Sequence, residues 1–403
     1  MKKLLFILVI ALPVVSRSQN LTISARIQDK ETGEALGFAS VGVKGVAIGT
    51  ISNEQGEFDF HVPPENRNDI LVVSMLGYRS FEAPIWTLAG IADQVITLDK
   101  SPIELQEIVV SDTLTGGDIL GIALSRIEQN YPMEPFLMDG FYRDIKKVGG
   151  TYISLLEAAV QIYDENYSEP RNKYRLRERV KLLEVRKSIG YESKFTHYFD
   201  QINLLEDLLL HNDVRYRKVD LEGEVVENAG REKNSFYDGH AIYVVTYDKE
   251  YKLKVYIDKE DFSIIHLELE DSTEHGYLGK KKNLISKYVG LKKTLDFRRY
   301  QGKMYPNYIT VTSRINWYDA KTDEIRFETE LFQQLLINRV RANSAERIGS
   351  TERMRNYSLQ YQDQPYNKKF WENYNVIKET PLDTKILADL EKLAPLEKQF
   401  EEY

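Results

Sequence analysis

Between residues 20 and 99 the chain is cut into seven short runs rich in β-branched residues: LTISARIQD, ASVGVKG, AIGTIS, GEFDFHVP, DILVVSML, YRSFEAPI and QVITLD. Gly, Asn or Pro separates them, and runs this short between turn signals send the chain back and forth. The segment reads as a small seven-stranded β-sandwich. Phe58, Phe60 and Val62 point to one face of their run, and Glu57, Asp59 and His61 to the other. ILVVSM lacks such alternation and is expected to be the central strand, covered on both faces. GTISNEQG gathers acids and amides around Gly56 as a calcium loop does. The first and last ligand positions would then fall on Ile51 and Val62, which have no side-chain oxygen. Asn53 to Gly56 is therefore read as a turn.

The chain opens MKKLLFILVIALPVVS, two lysines before an apolar run too short to span a bilayer comfortably, followed by a polar patch from Arg17 to Asn20. This pattern reads as a secretory signal over residues 1–19. Its removal takes away Lys2, Lys3 and Arg17 and no acid, moving the formal net charge from -8 to -11. So acidic a chain offers no broad basic surface, and nucleic acid is not expected as a partner. The cysteine count of 0 excludes disulfides, thiol catalysis, cysteine-rich zinc sites and a lipid-bearing cysteine. Export without disulfides points to the bacterial periplasm or the periplasmic face of the outer membrane. No second long apolar run follows, so no integral membrane segment is expected in the mature chain.

Turn-forming Gly33, then Leu36, Ala39, Val41, Lys44-Gly45, Gly49-Thr50, Asn53, Gly56, Phe58 and Gly77-Tyr78 fall in an order that resembles the carboxypeptidase regulatory-like domain. That resemblance covers residues 20–99. It implies a transthyretin-like sandwich, found in exported bacterial proteins and at the front of many TonB-dependent transporters. Asn53 stands where the family usually has Asp, a change without consequence for the turn. Residues 100–117 read as a linker. Within it, SPIELQEIVVSD contains a stretch, residues 104–112, similar to the box that pairs with TonB, and the two readings stay open. The 291 residues after Asp112 are too few for a plug and a large barrel, which excludes a transporter.

Residues 118–377 are expected to form an α+β domain with an antiparallel sheet, and residues 378–403 a C-terminal helical tail. GDILGIALSRIEQNYP reads as a helix capped by Asp118, with Ile119, Ile122, Ala123 and Ile127 as its stripe. Gly149-Gly150 marks a hairpin, and FDQINLLEDLLLHN a helix with Asp200 as cap. Six later runs, from HAIYVVTYD to EIRFETELFQQLLIN, read as antiparallel strands. The tail helix takes Thr380 as cap, buries Leu382, Ile386, Leu390 and Leu393, and breaks or kinks at Pro395. Asn130-Tyr131-Pro132, Phe141-Tyr142-Arg143, Glu157-Ala158, Phe370-Trp371 and Leu396 to Phe400 are together similar to a group of exported proteins carrying the regulatory-like domain. That similarity implies architecture and address, not chemistry. The strand and turn rhythm of residues 237–340 resembles the incomplete barrels of periplasmic lipoprotein carriers, which implies either an apolar concavity or the same faces packed into a closed core.

The motifs for chemistry are refusals. None of the six histidines is followed three residues later by Glu, so the zinc carboxypeptidase motif is missing; no metal site or cofactor is expected. Glu157 sits within the apolar run ISLLEAAVQI. A two-residue Gly-Gly loop puts it opposite Tyr142, whereas a three-residue loop brings Arg143 onto its face. Tyr142, Arg143 and Glu157 are the candidate binding residues, with a satisfied structural pair as the plainer reading. The basic run of residues 171–188 reads as the solvated face of a long strand or helix. The function favoured is that of a non-enzymatic exported envelope protein, binding or bridging an envelope protein or an amphiphilic or glycan ligand. The alternative is a periplasmic hydrolase acting on peptide or glycan.

Overall fold

The computed structural model describes residues 21–92, 94–101, 113–188, 190, 195–199, 204–219, 223–272, 275–354, 359–378 and 383–401. The signal reading, the TonB-like stretch, and the caps placed at Asp200 and Thr380 lie outside these residues.

All seven N-terminal runs become strands: β1 (Leu21–Asp29), β2 (Ser40–Val43), β3 (Gly49–Ile51), β4 (Glu57–Val62), β5 (Ile70–Ser74), β6 (Phe81–Pro84) and β7 (Gln94–Leu98). They form two sheets, β4-β1-β7 and β3-β2-β5-β6. Ile23, Ile27, Val41, Phe58, Phe60, Leu71, Val73 and Ile96 from both sheets share one buried core. Asn53 makes the turn its sequence suggests, its Oδ1 accepting from the backbone N–H of Gln55 at 3.0 Å and of Glu57 at 2.8 Å. Gly56 follows at φ +76°, and a Cβ there would collide with the Ile27 carbonyl. β5 lies inside its sheet, but its second face, with Ser74, is turned toward the later part of the chain.

Two short helices, α1 (Gly116–Ser125) and α2 (Ile127–Asn130), lead into the second fold. Thr115, not Asp118, caps α1: its Oγ1 accepts from Asp118 N at 3.1 Å while the Asp118 carboxylate accepts from Thr115 N at 2.9 Å, a capping box. Ile119, Leu120, Ala123 and Leu124 are buried on α1, whereas Ile122 is only half-buried.

Next come β8 (Phe136–Val148), β9 (Thr151–Asp164) and β10 (Arg179–Lys187), then helices α3 (Leu204–Leu210) and α4 (Glu224–Glu227). The strands resume as β11 (Gly230–Arg231), β12 (Ser235–Tyr237), β13 (His240–Asp248), β14 (Lys252–Asp258), β15 (Ile264–Asp271), β16 (His275–Lys281), β17 (Leu284–Tyr300), β18 (Lys303–Asp319) and β19 (Ile325–Arg341). These twelve strands form one sheet along the path β10-β9-β8-β19-β18-β17-β15-β14-β13-β11, with β12 also on β13 and β16 also on β17. Each pairing in it is antiparallel. One face packs on α1, α2 and α3 in a large core that includes Tyr142, Leu156, Leu205, Leu208, Leu295 and Ile309. The protein is thus multidomain and β-rich, and its last part is helical: α5 (Lys368–Trp371), α6 (Asp383–Leu390) and α7 (Leu396–Glu401).

The other face of β8 and β9 is covered by that C-terminal part. Leu390, Leu396 and Phe400 pack with Ile145 and Leu155. Leu393 departs from the expected stripe and is 74% exposed, because the helix ends at Leu390 and restarts after Pro395, which breaks the 3.6-residue period.

Candidate functional site

Tyr142 and Arg143 are neighbours on β8, so the pleat sends them to opposite faces. The loop is two residues, Val148 pairing with Thr151, yet Glu157 faces Arg143 rather than Tyr142. A register shift beyond Lys147 leaves Ile153 as an extra residue and changes the parity. Arg143 Nε donates to Glu157 Oε1 at 2.6 Å, and Arg186 Nε on β10 donates to Oε2 at 2.5 Å. Glu157 is 1% exposed. Burial alone would raise its pKa, but Arg186 and Arg143 together hold it below the usual carboxylate value. The Arg186 guanidinium lies between two rings, 4.4 Å from Trp371 and 5.0 Å from Phe400. Arg143 Nη2 donates to the Ile377 carbonyl at 3.2 Å, so this cluster lies beneath the C-terminal part. The basic run that contains Arg186 is thus not wholly a solvated face. Tyr142, on the other face, donates to Asp144 Oδ2 at 3.2 Å and accepts from Gln333 Nε2 at 3.0 Å.

On that helix-covered face the register stacks rows of side chains across β17, β18, β19 and β8. Leu295, Ile309, Leu335 and Tyr142 form an apolar row; Lys293, Val311, Gln333 and Asp144 follow, then Leu291, Ser313, Leu331 and Lys146. The polar rows are paired internally. Lys293 Nζ lies 2.6 Å from Asp213 Oδ2, both buried, and Gln333 Nε2 also donates to the Leu204 carbonyl at 2.7 Å. Burial, with Lys293 and Lys218 adding repulsion, pushes the nearby His211 down to about 3, so it is neutral at pH 7. Burial raises the pKa of Asp207, one turn earlier.

Beyond these rows, toward the β16–β17 and β18–β19 turns, the sheet opens into a cavity of about 340 Å³. Tyr198, Phe199, Leu204, Ile315, Trp317 and Leu331 supply its apolar wall, and Leu278 and Lys280 stand exposed on its border. Some of its polar wall groups are spent internally. Trp317 Nε1 donates to Thr329 Oγ1 at 3.0 Å, Ser286 Oγ donates to the Gly279 carbonyl at 3.2 Å, and Lys281 Nζ donates to the His197 carbonyl. The concavity is therefore packed by helices over one part and open at one end. Its lining residues come from separate segments with no motif among them, and alternation of apolar residues along β18 and β19 was the one signal in the sequence.

A second, more polar cavity of about 150 Å³ lies where the sandwich meets the large sheet, bordered by Lys44, Glu82, Asp238, His240, Asp258 and Arg298. Ligand atoms of His240, Asp258 and Glu260 come within 4.8 Å of one another there, close enough to share a cation. Arg299 Nη2 already sits 3.0 Å from Asp258 Oδ2, so a cation would have to displace a guanidinium.

The fold and the cavity together define a β-rich two-part protein whose larger sheet carries an apolar cavity. Residues 23–110 match the CarboxypepD_reg-like domain, and the N-terminal sandwich is a domain of that family. No curated protein matches the chain. Among solved structures, a LolA superfamily protein from Nitrosomonas europaea is 14% identical at TM-score 0.20, covering 58% of this chain and 96% of that one. The Pseudomonas aeruginosa MucA/MucB complex is 10% identical at TM-score 0.19, covering 57% and 99%. A membrane-associated protein of unknown function from Bacteroides fragilis is 12% identical at TM-score 0.16, covering 79% and 98%. Similarity this low carries no argument about this chain.

Proposed function

We propose that the protein is a non-enzymatic binding protein of the bacterial cell envelope that holds an amphiphilic ligand in the cavity beside Trp317. The supporting observation is the cavity itself. Its volume of about 340 Å³ falls at the lower end of the ~300–1,000 Å³ usual for ligand sites, and its wall joins the apolar Phe199, Leu204, Ile315, Trp317 and Leu331 to a few polar groups, Asp207 and Ser313 among them. Export is supported by the opening lysines and apolar run, and no helix among the described residues is long and apolar enough to cross a membrane. The sandwich serves in this reading as an interaction module. The test is titration of the purified mature protein with Nile red, a neutral solvatochromic dye. Micromolar binding with a blue-shifted emission, and a melting temperature that rises with ligand by mass action, are expected. Neither response in the native state would show that the cavity takes no amphiphile. The hydrolytic alternative is read in the same preparation by incubating it with peptides and glycans and looking for products.

A further inference from the structure

Asp207 is the one carboxylate among the described residues that line the Trp317 cavity, and it stands three residues after Leu204 on α3, so the helical period turns both toward the same side. The carboxylate faces the sheet. Its charge acts on Tyr142 and Tyr288, and it feels Lys293, three side chains on the cavity side of β8 and β17. What it lacks is a donor. No hydrogen bond reaches either carboxylate oxygen among the described residues, and the side chain, 35% exposed, has as its ion-pair neighbour only His211 Nε2, 3.7 Å from Oδ2. That imidazole is neutral at pH 7. Lys293 is spent on Asp213 at 2.6 Å, and Lys218 acts on Asp207 from beyond ion-pair distance. Ser313 Oγ, on the face of β18 that carries Ile315 and Trp317, likewise holds no hydrogen bond among the described residues. The lysines offer less. Lys281 is held on the His197 carbonyl, and Lys280 pairs with Ile285, which points it to the face of the sheet opposite Ser286 and Trp317.

Resting on the reading above, we infer that the ligand's polar group is a hydrogen-bond donor, a hydroxyl or a primary ammonium, received by Asp207, while its apolar body lies against Leu204, Trp317 and Leu331. Desolvation sets this choice. A ligand that fills the cavity strips water from the carboxylate, and that loss is offset only if the ligand itself brings an N–H or O–H to it. An ether brings none. A carboxylate or phosphate head would meet Asp207 as a like charge instead. Ser313 offers the same head group a second contact, because a hydroxyl both accepts and donates. The recognised chemistry is one donor on an apolar chain, as in a long-chain alcohol or amine, and not a fatty acid.

The experiment is Nile red displacement from the mature protein at pH 7, below micellar concentrations, by decanol, decyl methyl ether, decylamine and decanoate. Decanol is expected to bind roughly tenfold tighter than the ether, although the ether is the more apolar, with decylamine at least equal to decanol and decanoate weakest. Asp207→Leu should erase the preference for alcohol over ether. Asp207→Asn keeps an acceptor, so it should retain that preference while decylamine loses any advantage over decanol. Nile red carries no donor, and its own affinity should not weaken in either variant, which shows that the fold and the cavity are intact. Equal binding of alcohol and ether, decanoate binding as tightly as decanol, or a preference that survives Asp207→Leu would overturn the assignment and leave the cavity as a binding site. Failure of Nile red to bind the wild type would overturn the cavity reading, and this assignment with it.

Discussion

Arg298 reaches from β17 into the sandwich, where its Nη1 donates to the Ile48 carbonyl oxygen at 3.1 Å and its Nη2 donates to Val43 O at 3.3 Å. The slot exists because positions 42 and 49 are glycines: a Cβ at Gly42 would fall within the guanidinium, and one at Gly49 would lie 2.7 Å from Nη1. Around this contact Val340 N donates to the Ala47 carbonyl at 2.8 Å, and Phe38 stacks on Tyr308 at 6.0 Å. On another side Asn375 closes the free edge of β4, accepting from His61 N at 2.7 Å and donating to His61 O at 3.2 Å. Gly42→Ala should therefore expel the guanidinium and destabilise the protein by about 1–3 kcal/mol, and Arg298→Ala should act alike. Urea unfolding reads both, and unchanged midpoints would show that the contact contributes nothing.

Glu157 should make stability acid-sensitive. Its folded pKa is depressed, so its contribution is present above the unfolded value near 4.3 and is lost as pH falls through the folded value. Glu157→Gln leaves Arg143 and Arg186 facing a neutral amide beneath Trp371 and should cost about 3–5 kcal/mol at pH 7. The difference between wild type and variant, followed by thermal melts, should narrow below pH 4. A gap that stays constant with pH would contradict the ion-pair account.

His266 predicts the opposite dependence. Its Nδ1 lies 2.5 Å from Asp296 Oδ1 and its Nε2 lies 2.9 Å from Glu268 Oε1. Burial alone would lower its pKa, but Asp296 and Glu268 raise it to about 10. A raised pKa gives stability that is complete below pH 6.5 and is lost as pH rises toward 10. His266→Gln should cost about 2 kcal/mol at pH 6 and progressively less at alkaline pH. An imidazole that titrates near its ordinary value by NMR would overturn this.

Phe400 closes the C-terminal part over β9 and β10, packing with Ile145, Leu155 and Leu390. Phe400→Ala should cost about 3–5 kcal/mol. Deleting residues 383–403 should lower the unfolding midpoint further, and an unchanged midpoint in either would mean that this part does not support the sheet.

The strands were readable because alternation and turn glycines are local signals: all seven sandwich strands and the hairpin at Gly149-Gly150 stand where the pattern puts them. What pairs with what was harder. The shift at Ile153 has no sequence signature, and by changing parity it moved Glu157 from Tyr142 to Arg143. Arg186 has no sequence signal of its own, because a basic residue in a basic run looks solvated, and only the fold places Trp371 and Phe400 around it. The apolar pattern begins at Ile119 and points to Asp118 as the cap, whereas the helix starts two glycines earlier at Gly116, so Thr115 caps it through a Thr-x-x-Asp box. The cavity residues sit in separate segments that only the long hairpins bring together, so no spacing could have announced them.

The most direct test of the binding account uses Trp317 as a reporter, since it borders the cavity and is one of 3 tryptophans in the chain. The mature protein and its Trp317→Phe variant are titrated with 11-bromoundecanol, a neutral chain whose bromine quenches indole on contact. The account predicts saturable quenching at micromolar concentration in the wild type and its loss in the variant. Equal quenching in both proteins, or none in either, would contradict it.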